Sequence, residues 1–540
     1  MALSLTAEQK NILKIFKIEE QYMIPSYQRP YSWEYDQCYQ LYTDLMRSFD
    51  NDEDYFIGNI ITAKSESNHE YIEVVDGQQR LITLLLFIKV LSVFQQDLKI
   101  LFQLISKEDW RGNNNVPRIR TEVFETNDGD AFNKVMEFNL IEFENLLRES
   151  IDKSGKILEK RINDKFATNA LYFYNWLVFF QERKGNLENF TYYLLQKTFL
   201  LPIELGGKTQ DEANEKALVI FETINNRGMN LEDADIFKAK LFNKAKKIGE
   251  ETKFIGLWTD FKISSDNLGL KIDDVFRYYS HIIRGRQGIT YGEKNLREFF
   301  TREDFSPFEL NSYEDVLNDL FKILDLIEFL TKSKIEPTQI TPWLQVLSLY
   351  TNQYPNYAIV NYLYINGVNL TYELVEFLKA LLRFVYYQGS TSTVKFEIYN
   401  IIKQVSQNQT IGTYLRPDIK PNAFDNTGRL KRGFSLLAYY LQGNEPLSYY
   451  VIDRILSKND RSSLAKDWDD IDFEEVLEDL GNYIVIGNSR KNLPFERKLA
   501  FYLDSGSLEL KEFIENDFMY SDFYNREVSI KDKLVRFFSE

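Results

Sequence analysis

The sequence predicts an α+β fold at the amino end, giving way to a mainly α-helical chain after residue 250. Strand-like runs at Tyr55 to Thr62, Glu70 to Val75 and Phe199 to Leu205 all precede that point. Helix-compatible apolar spacing dominates beyond it, as in Tyr313 to Leu330 and Leu374 to Tyr387. At 540 residues the chain is also too long for one ordinary core. We place joints near 250 and in the 405 to 430 stretch, giving expected domains at 1-250, 251-425 and 426-540. No internal repeat of fixed period is visible.

The elements follow in order. Thr6-Ala7-Glu8-Gln9 reads as a capping box opening a short helix through Phe16. Between Met23 and Trp33, Pro25 and Pro30 break regular structure and bias their predecessors towards extended geometry. A helix over 35 to 49 puts Cys38, Leu41, Leu45 and Phe49 on one side. The strands at 55 to 62 and 70 to 75 flank a polar turn from Ser65 to His69. A long apolar helix starts after Arg80 and runs to about Leu98, and Leu171 to Leu177 reads as a buried segment. Pro202 favours an edge position for the strand Phe199 to Leu205. Asp211 to Ile224 predicts a helix that ends at Asn225-Asn226-Arg227-Gly228. Asn230 then caps a second helix, Leu231 to about Lys246, with Asp233 at its third position.

Composition removes several function classes. Hydrophobic residues make up 44% and aromatics 15%, enough for large packed cores and incompatible with wholesale disorder. A net charge of −16 is the wrong sign for a protein that coats nucleic acid by charge alone, although a few arginines in one groove would be invisible in that total. The lone Cys38 excludes an intramolecular disulfide framework and a multi-cysteine zinc site. Two histidines far apart, His69 and His281, make histidine-rich metal hydrolysis a poor expectation. The amino terminus lacks signal-peptide character, and the apolar run Leu81 to Phe94 is too short to span a bilayer, so the expectation is a soluble cytoplasmic protein.

The densest polar chemistry is Asp76-Gly77-Gln78-Gln79-Arg80, between the strand-like Tyr71 to Val75 and the apolar helix. A glycine allows a sharp turn and close ligand approach. The acid, two amides and guanidinium around it offer metal-binding, hydrogen-bonding and phosphate-binding groups together. The same residues would also serve an ordinary tight turn with a capping acid. Two further arginine-bearing turns weigh against that alone. Tyr27-Gln28-Arg29-Pro30-Tyr31-Ser32-Trp33 puts an arginine among aromatics, suited to phosphate and base or simply to a stacked plug. Ile224-Asn225-Asn226-Arg227-Gly228 is a helix C-cap by geometry, which leaves Asn226 and Arg227 unexplained unless they meet an anion.

Residues 20 to 245 resemble the amino-terminal domain of GmrSD/SspE-type antiphage restriction proteins. The matching pieces occur in order: Ile24 to Trp33, Phe56-Ile57-Gly58-Asn59-Ile60, Val75 to Leu81, and Phe221 to Gly228. The resemblance implies a ParB/sulfiredoxin-like fold whose Asp-Gly-Gln-Gln-Arg turn binds and hydrolyses nucleoside triphosphate, in defence against phage through modified DNA. Carried over by position, Asp76, Gln79 and Arg80 become catalytic, with Asp76 also the metal ligand. Tyr27, Gln28, Arg29, Gly77, Gln78, Asn226 and Arg227 become nucleotide-binding. Mg²⁺ is the expected companion, since phosphates supply most of its ligands. The base stays open.

Such proteins often end in an HNH-type nuclease domain. Here Tyr449 to Asn459, Trp468, Leu480-Gly481-Asn482-Tyr483, Asn492, Phe495 and Lys498 resemble its signature, but the catalytic histidine position falls on Arg454. A guanidinium that stays protonated cannot act as general base. The expectation is a degenerate, ββα-like HNH domain without cleavage chemistry, with Arg454, Arg490 and Lys491 as DNA-phosphate contacts. The function expected is a nucleotide-dependent component of a restriction system, acting with DNA and with a partner defence protein or a second subunit, itself a homo-oligomer candidate. The alternatives are a non-enzymatic nucleotide-gated sensor or scaffold, and a DNA-binding adaptor with no nucleotide.

Overall fold

A seven-stranded mixed sheet organises the amino-terminal half of the computed structural model. The structure describes residues 5–66, 70–107, 116–123, 128–153, 155–210, 233–291, 295–301, 307–387, 391–425, 427–458, 470–487 and 519–540, with isolated positions between them. Two units divide between Ile255 and Gly256.

The sheet's strands are β1 (Leu5–Ala7), β2 (Lys10–Asn11), β3 (Gln21–Ile24), β4 (Tyr55–Ser65) and β5 (Tyr71–Asp76), joined by a strand at Ile119–Thr121 and another at Thr198–Gly207. Spatial order runs β1, Thr198–Gly207, β4, β5, β3, Ile119–Thr121, with β2 also pairing Thr198–Gly207. β4 and β5 are antiparallel neighbours, as a polar turn between two strand patterns requires. β3 lies parallel to β5, so the extended chain before Pro25 enters the sheet next to the strand that ends in Asp76.

Helix α1 (Gln78–Phe94) follows β5 after a one-residue turn. Every residue from Leu81 to Val93 is buried, including Lys89, so this is a helix enclosed on all sides rather than an amphipathic surface helix. Its Phe87 stacks on Phe173 at 4.5 Å, from α2 (Lys165–Lys184), which accounts for the buried aromatic run at 171 to 177. Tyr35–Asp50 forms the expected helix, burying Cys38, Leu41 and Leu45.

Two expectations fail locally. The supposed capping box at Thr6 lies in strand β1, and the helix there is only Ile12–Phe16, capped by the Asn11 side chain accepting from Lys14 N–H at 3.0 Å. Sheet pairing of Leu5, Thr6 and Ala7 with Leu205, Glu204 and Ile203 outcompetes local helix propensity. The strand carrying Pro202 is not at an edge, since it pairs β4 on one side and β1 and β2 on the other. Pro202 is tolerated because it faces the gap between the β1 partners, ending at Ile203, and the β2 partners, starting at Leu200.

The second unit, Gly256–Glu540, is mainly helical and contains Tyr313–Ser333 and Tyr372–Tyr387 at nearly the expected positions. The terminal helix Tyr520–Ser539 returns to the middle region, where Phe537 stacks on Trp343 at 5.8 Å and its carbonyl accepts from Arg383 Nε at 2.8 Å. Val451–Arg454 and Tyr483–Ile486 pair as a short antiparallel ladder. Between them Asn482, fully buried, accepts from Leu456 N–H at 2.7 Å and donates to Leu456 O at 3.0 Å. Trp468, Asn492, Phe495 and Lys498 lie outside the described residues.

Candidate functional site at the strand-to-helix turn

The turn forms because only glycine fits it. Gly77 has φ +88 and ψ 9, the left-handed region that costs other residues about 1–2 kcal/mol. A Cβ there would also sit 2.5 Å from Ile60 Cγ2 and 3.2 Å from Asn59 O, on the adjacent strand β4. The chain therefore pivots against β4 directly after Asp76, and α1 opens with its first N–H groups without a side-chain cap from the Gly77 position.

Arg80, one turn in, folds back over β4 and donates through Nη1 to the Asn59 carbonyl. Gly58, at φ +138, leaves the room: a Cβ there would lie 3.3 Å from Arg80 Nη1. β4 shifts register between Phe56 and Gly58, which is the local irregularity that accepts the guanidinium. The segment Phe56 to Ile60 is thus half of the arginine's socket.

Asp76 is half-buried, and burial pushes its carboxyl above the usual range. Opposing that rise, in order, are the Arg80 guanidinium, the Gly77 N–H and the Arg29 guanidinium. Arg29 and Arg80 therefore both act on one carboxylate from two different elements. The Arg29 side chain makes no hydrogen bond or ion pair among the described residues.

The two glutamines hold the 28 to 33 loop in place. Gln78 Nε2 donates to Gln28 Oε1 at 3.1 Å and to Arg29 O at 3.2 Å. Gln28 Nε2 in turn donates to Val75 O at 2.9 Å, closing a ring around the start of the motif. Gln79 Oε1 accepts from Ser32 N–H at 2.8 Å and Trp33 N–H at 3.3 Å, while its Nε2 donates to Pro30 O at 3.1 Å. Both amides are 5% exposed, so their polar capacity is spent on the loop. The resemblance made Gln79 catalytic and Gln78 nucleotide-binding; in the structure both amides clasp the loop that carries Arg29.

Tyr27 is buried against Phe242 at 5.8 Å, and its hydroxyl finds no partner among the described residues. Asn226 and Arg227 lie outside the described residues. The helix after them, Asp233–Lys247, does reach the site: buried Lys238 donates from Nζ to Gln28 O at 3.3 Å. Sequence reasoning missed Lys238, whose helical neighbours give no sign of it, and Asn169, which donates to Trp33 O at 2.8 Å from 136 residues away. A donor set of one carboxylate fits Mg²⁺ only where phosphates supply most other ligands. No group of three or more acidic, histidine or cysteine side chains is placed to hold a metal among the described residues.

In the second unit, Arg454 donates from Nε to Tyr483 OH at 3.1 Å and pairs with Glu478 at 3.4 Å. Arg490 and Lys491 lie outside the described residues. No helix among the described residues is long and apolar enough to cross a membrane.

No curated protein matches the chain. Residues 12–242 match the family described as GmrSD restriction endonuclease, N-terminal domain, and this span contains the sheet strands from β3 onward, the glycine turn, its clasp and Lys238. Over those residues the chain is similar to the N-terminal domain of the GmrSD-type restriction proteins.

Proposed function

We propose that the amino-terminal unit binds a nucleoside triphosphate and gates a component of a DNA-restriction system. The observation that carries this is the pair of guanidiniums acting on Asp76, one of them, that of Arg29, making no hydrogen bond or ion pair among the described residues. A half-buried arginine on a loop held by the amides of Gln28, Gln78 and Gln79, beside an opening helix N-terminus, is suited to a polyanion. Arg29, Arg80 and Arg227 would balance phosphate charge, and Asp76 would give Mg²⁺ its single protein carboxylate. Bound Mg²⁺ would supply charge neutralisation on the phosphates. Gln78 and Gln79 act at one remove, by holding the loop that carries Arg29.

One observation favours binding over turnover. Gln79, expected to be catalytic, has its carbonyl oxygen and its amide nitrogen both committed to the loop. The second reading is therefore a nucleotide-gated sensor whose own nuclease centre has been lost, recruiting an effector. Steady-state phosphate release from the wild type, Asp76→Ala and Arg80→Ala separates the two. Turnover abolished by either substitution supports hydrolysis; tight binding with no turnover in the wild type supports the sensor. Absence of any binding of ATP, GTP or CTP by calorimetry removes both.

A further inference from the structure

A groove of about 450 Å³ runs along one face of the helix Tyr372–Tyr387 in the second unit. Glu373, Phe377, Ala380 and Arg383 line it at helical spacing, and residues 408 to 413 form another wall. The small Ala380 keeps the middle open, where Tyr362 stacks on Phe377 at 4.2 Å as an aromatic wall.

One end of the groove is cationic. Arg383 is 8% exposed, yet its guanidinium is bound through Nε alone, which donates to Phe537 O at 2.8 Å. Its two terminal nitrogens make no hydrogen bond or ion pair among the described residues. Burial disfavours its charge, and Glu376, which offsets this in part, is itself paired with Lys379 at 2.7 Å. The Phe537 ring covers one face of the guanidinium, with its centroid 4.7 Å from Cζ, and bounds the groove there. A planar fork held in this way suits a carboxylate, which accepts two parallel N–H bonds. The other end is acidic: Glu373 is exposed and makes no ion pair among the described residues. By helical rise the two charges stand about 15 Å apart, which an extended chain covers in about four or five residues.

The wall from Thr410 to Thr413 adds an independent observation. None of its backbone N–H or C=O groups makes a hydrogen bond among the described residues, and only Ile411 of the four is partly buried. Beyond it the chain is pinned, with Tyr414 packed on Phe384 at 5.0 Å and the Arg416 N–H donating to Phe538 O at 2.7 Å. An anchored row of open donors and acceptors beside a groove can pair with an incoming extended chain.

We propose that this groove takes the carboxyl-terminal end of a partner protein as an extended peptide. The terminal carboxylate sits on Arg383, where Phe537 stops the chain, and the peptide backbone pairs with residues 410 to 413. An apolar side chain lies over Ala380 against Phe377 and Tyr362, and a basic residue meets Glu373. Opposite charges at the two ends set the peptide's direction. The groove has this role whether or not the first unit binds nucleotide.

The test offers the immobilised full-length chain a pool of random pentapeptides with acetylated amino ends and free carboxyl ends, and the same pool amidated. Mass spectrometry reads the retained sequences. We expect enrichment from the free-acid pool only, with an apolar residue at or next to the last position and Lys or Arg at the first. The best retained peptide is then titrated by calorimetry. Arg383→Gln should weaken it by about tenfold or more, the loss of one charged hydrogen-bond pair. Glu373→Lys, at an exposed position and so safe for folding, should shift selection to peptides with an acidic first residue. No enrichment over bare matrix, equal retention of amidated peptides, or an unchanged first-position preference in Glu373→Lys overturns the proposal.

Discussion

Gly77→Ala is the sharpest perturbation of the turn. Its left-handed backbone costs an alanine about 1–2 kcal/mol. The added Cβ at 2.5 Å from Ile60 Cγ2 cannot be absorbed by a flexible tip, because Ile60 is fully buried in β4. Forced repacking of that kind costs about 1–3 kcal/mol, so the total is about 2–5 kcal/mol. Gly155→Ala is the matched control: φ is +83 and nothing lies within 4 Å of the new Cβ, so only the backbone cost applies. Urea unfolding of the full chain, read by hydrogen exchange on peptides covering Tyr35–Asp50 and Gln78–Phe94, isolates the first unit's transition. With a slope of about 3 kcal/mol per molar urea, Gly77→Ala should lower the midpoint by about 0.7–1.7 M and Gly155→Ala by about 0.3–0.7 M. Equal shifts in the two variants would refute the clash argument, and a shift below about 0.2 M for Gly77→Ala would refute the strained turn altogether.

Other substitutions probe the remaining parts of the account. Gln79→Leu should cost about 1–3 kcal/mol and speed exchange of the Ser32 and Trp33 amides, since both lose their acceptor; slow exchange there would deny the clasp. Tyr27→Phe should be neutral or slightly stabilising without ligand, as the buried hydroxyl has no partner among the described residues, and a thermal melt checks it. Asn482→Ala should cost about 2–4 kcal/mol in the second unit, because Leu456 N–H and O both lose a buried partner; a silent mutant would contradict this structural role. For Asp76 the folded carboxyl is raised above the value of 3.8 that it has when exposed. The folded state therefore binds the proton more tightly. This group's contribution to stability is greatest below the unfolded value and falls as pH rises through the folded one. Asp76→Asn should flatten that part of the stability profile, and an unchanged profile would show that Asp76 does not titrate in this way.

Much of the fold could be read from sequence where the signal is local. The Gly77 turn was legible because a glycine between a strand pattern and an apolar helix has few other uses. The antiparallel pair β4 and β5 was legible from two patterns joined by a polar turn. β3 and the strand Ile119–Thr121 were not, because they are short and exist through parallel pairing with chain far away, as in Tyr22 with Ile119. The site divided along the same line. That Asp76, Arg80 and Arg29 converge was anticipated from the density of charge. Which way Gln78 and Gln79 face was not, since an amide serves a ligand or a loop equally well until its partners are known. Lys238 and Asn169 enter from distant helices and left no trace in the local pattern.

The central claim is a phosphate site built around Arg29 and Asp76, and Arg29→Ala tests it most cleanly because that side chain makes no hydrogen bond or ion pair among the described residues. Calorimetric titration with ATP, GTP and CTP in the presence of Mg²⁺ should show one of them binding the wild type, with affinity reduced at least tenfold in Arg29→Ala at unchanged thermal stability. Equal affinity in wild type and variant would contradict the account.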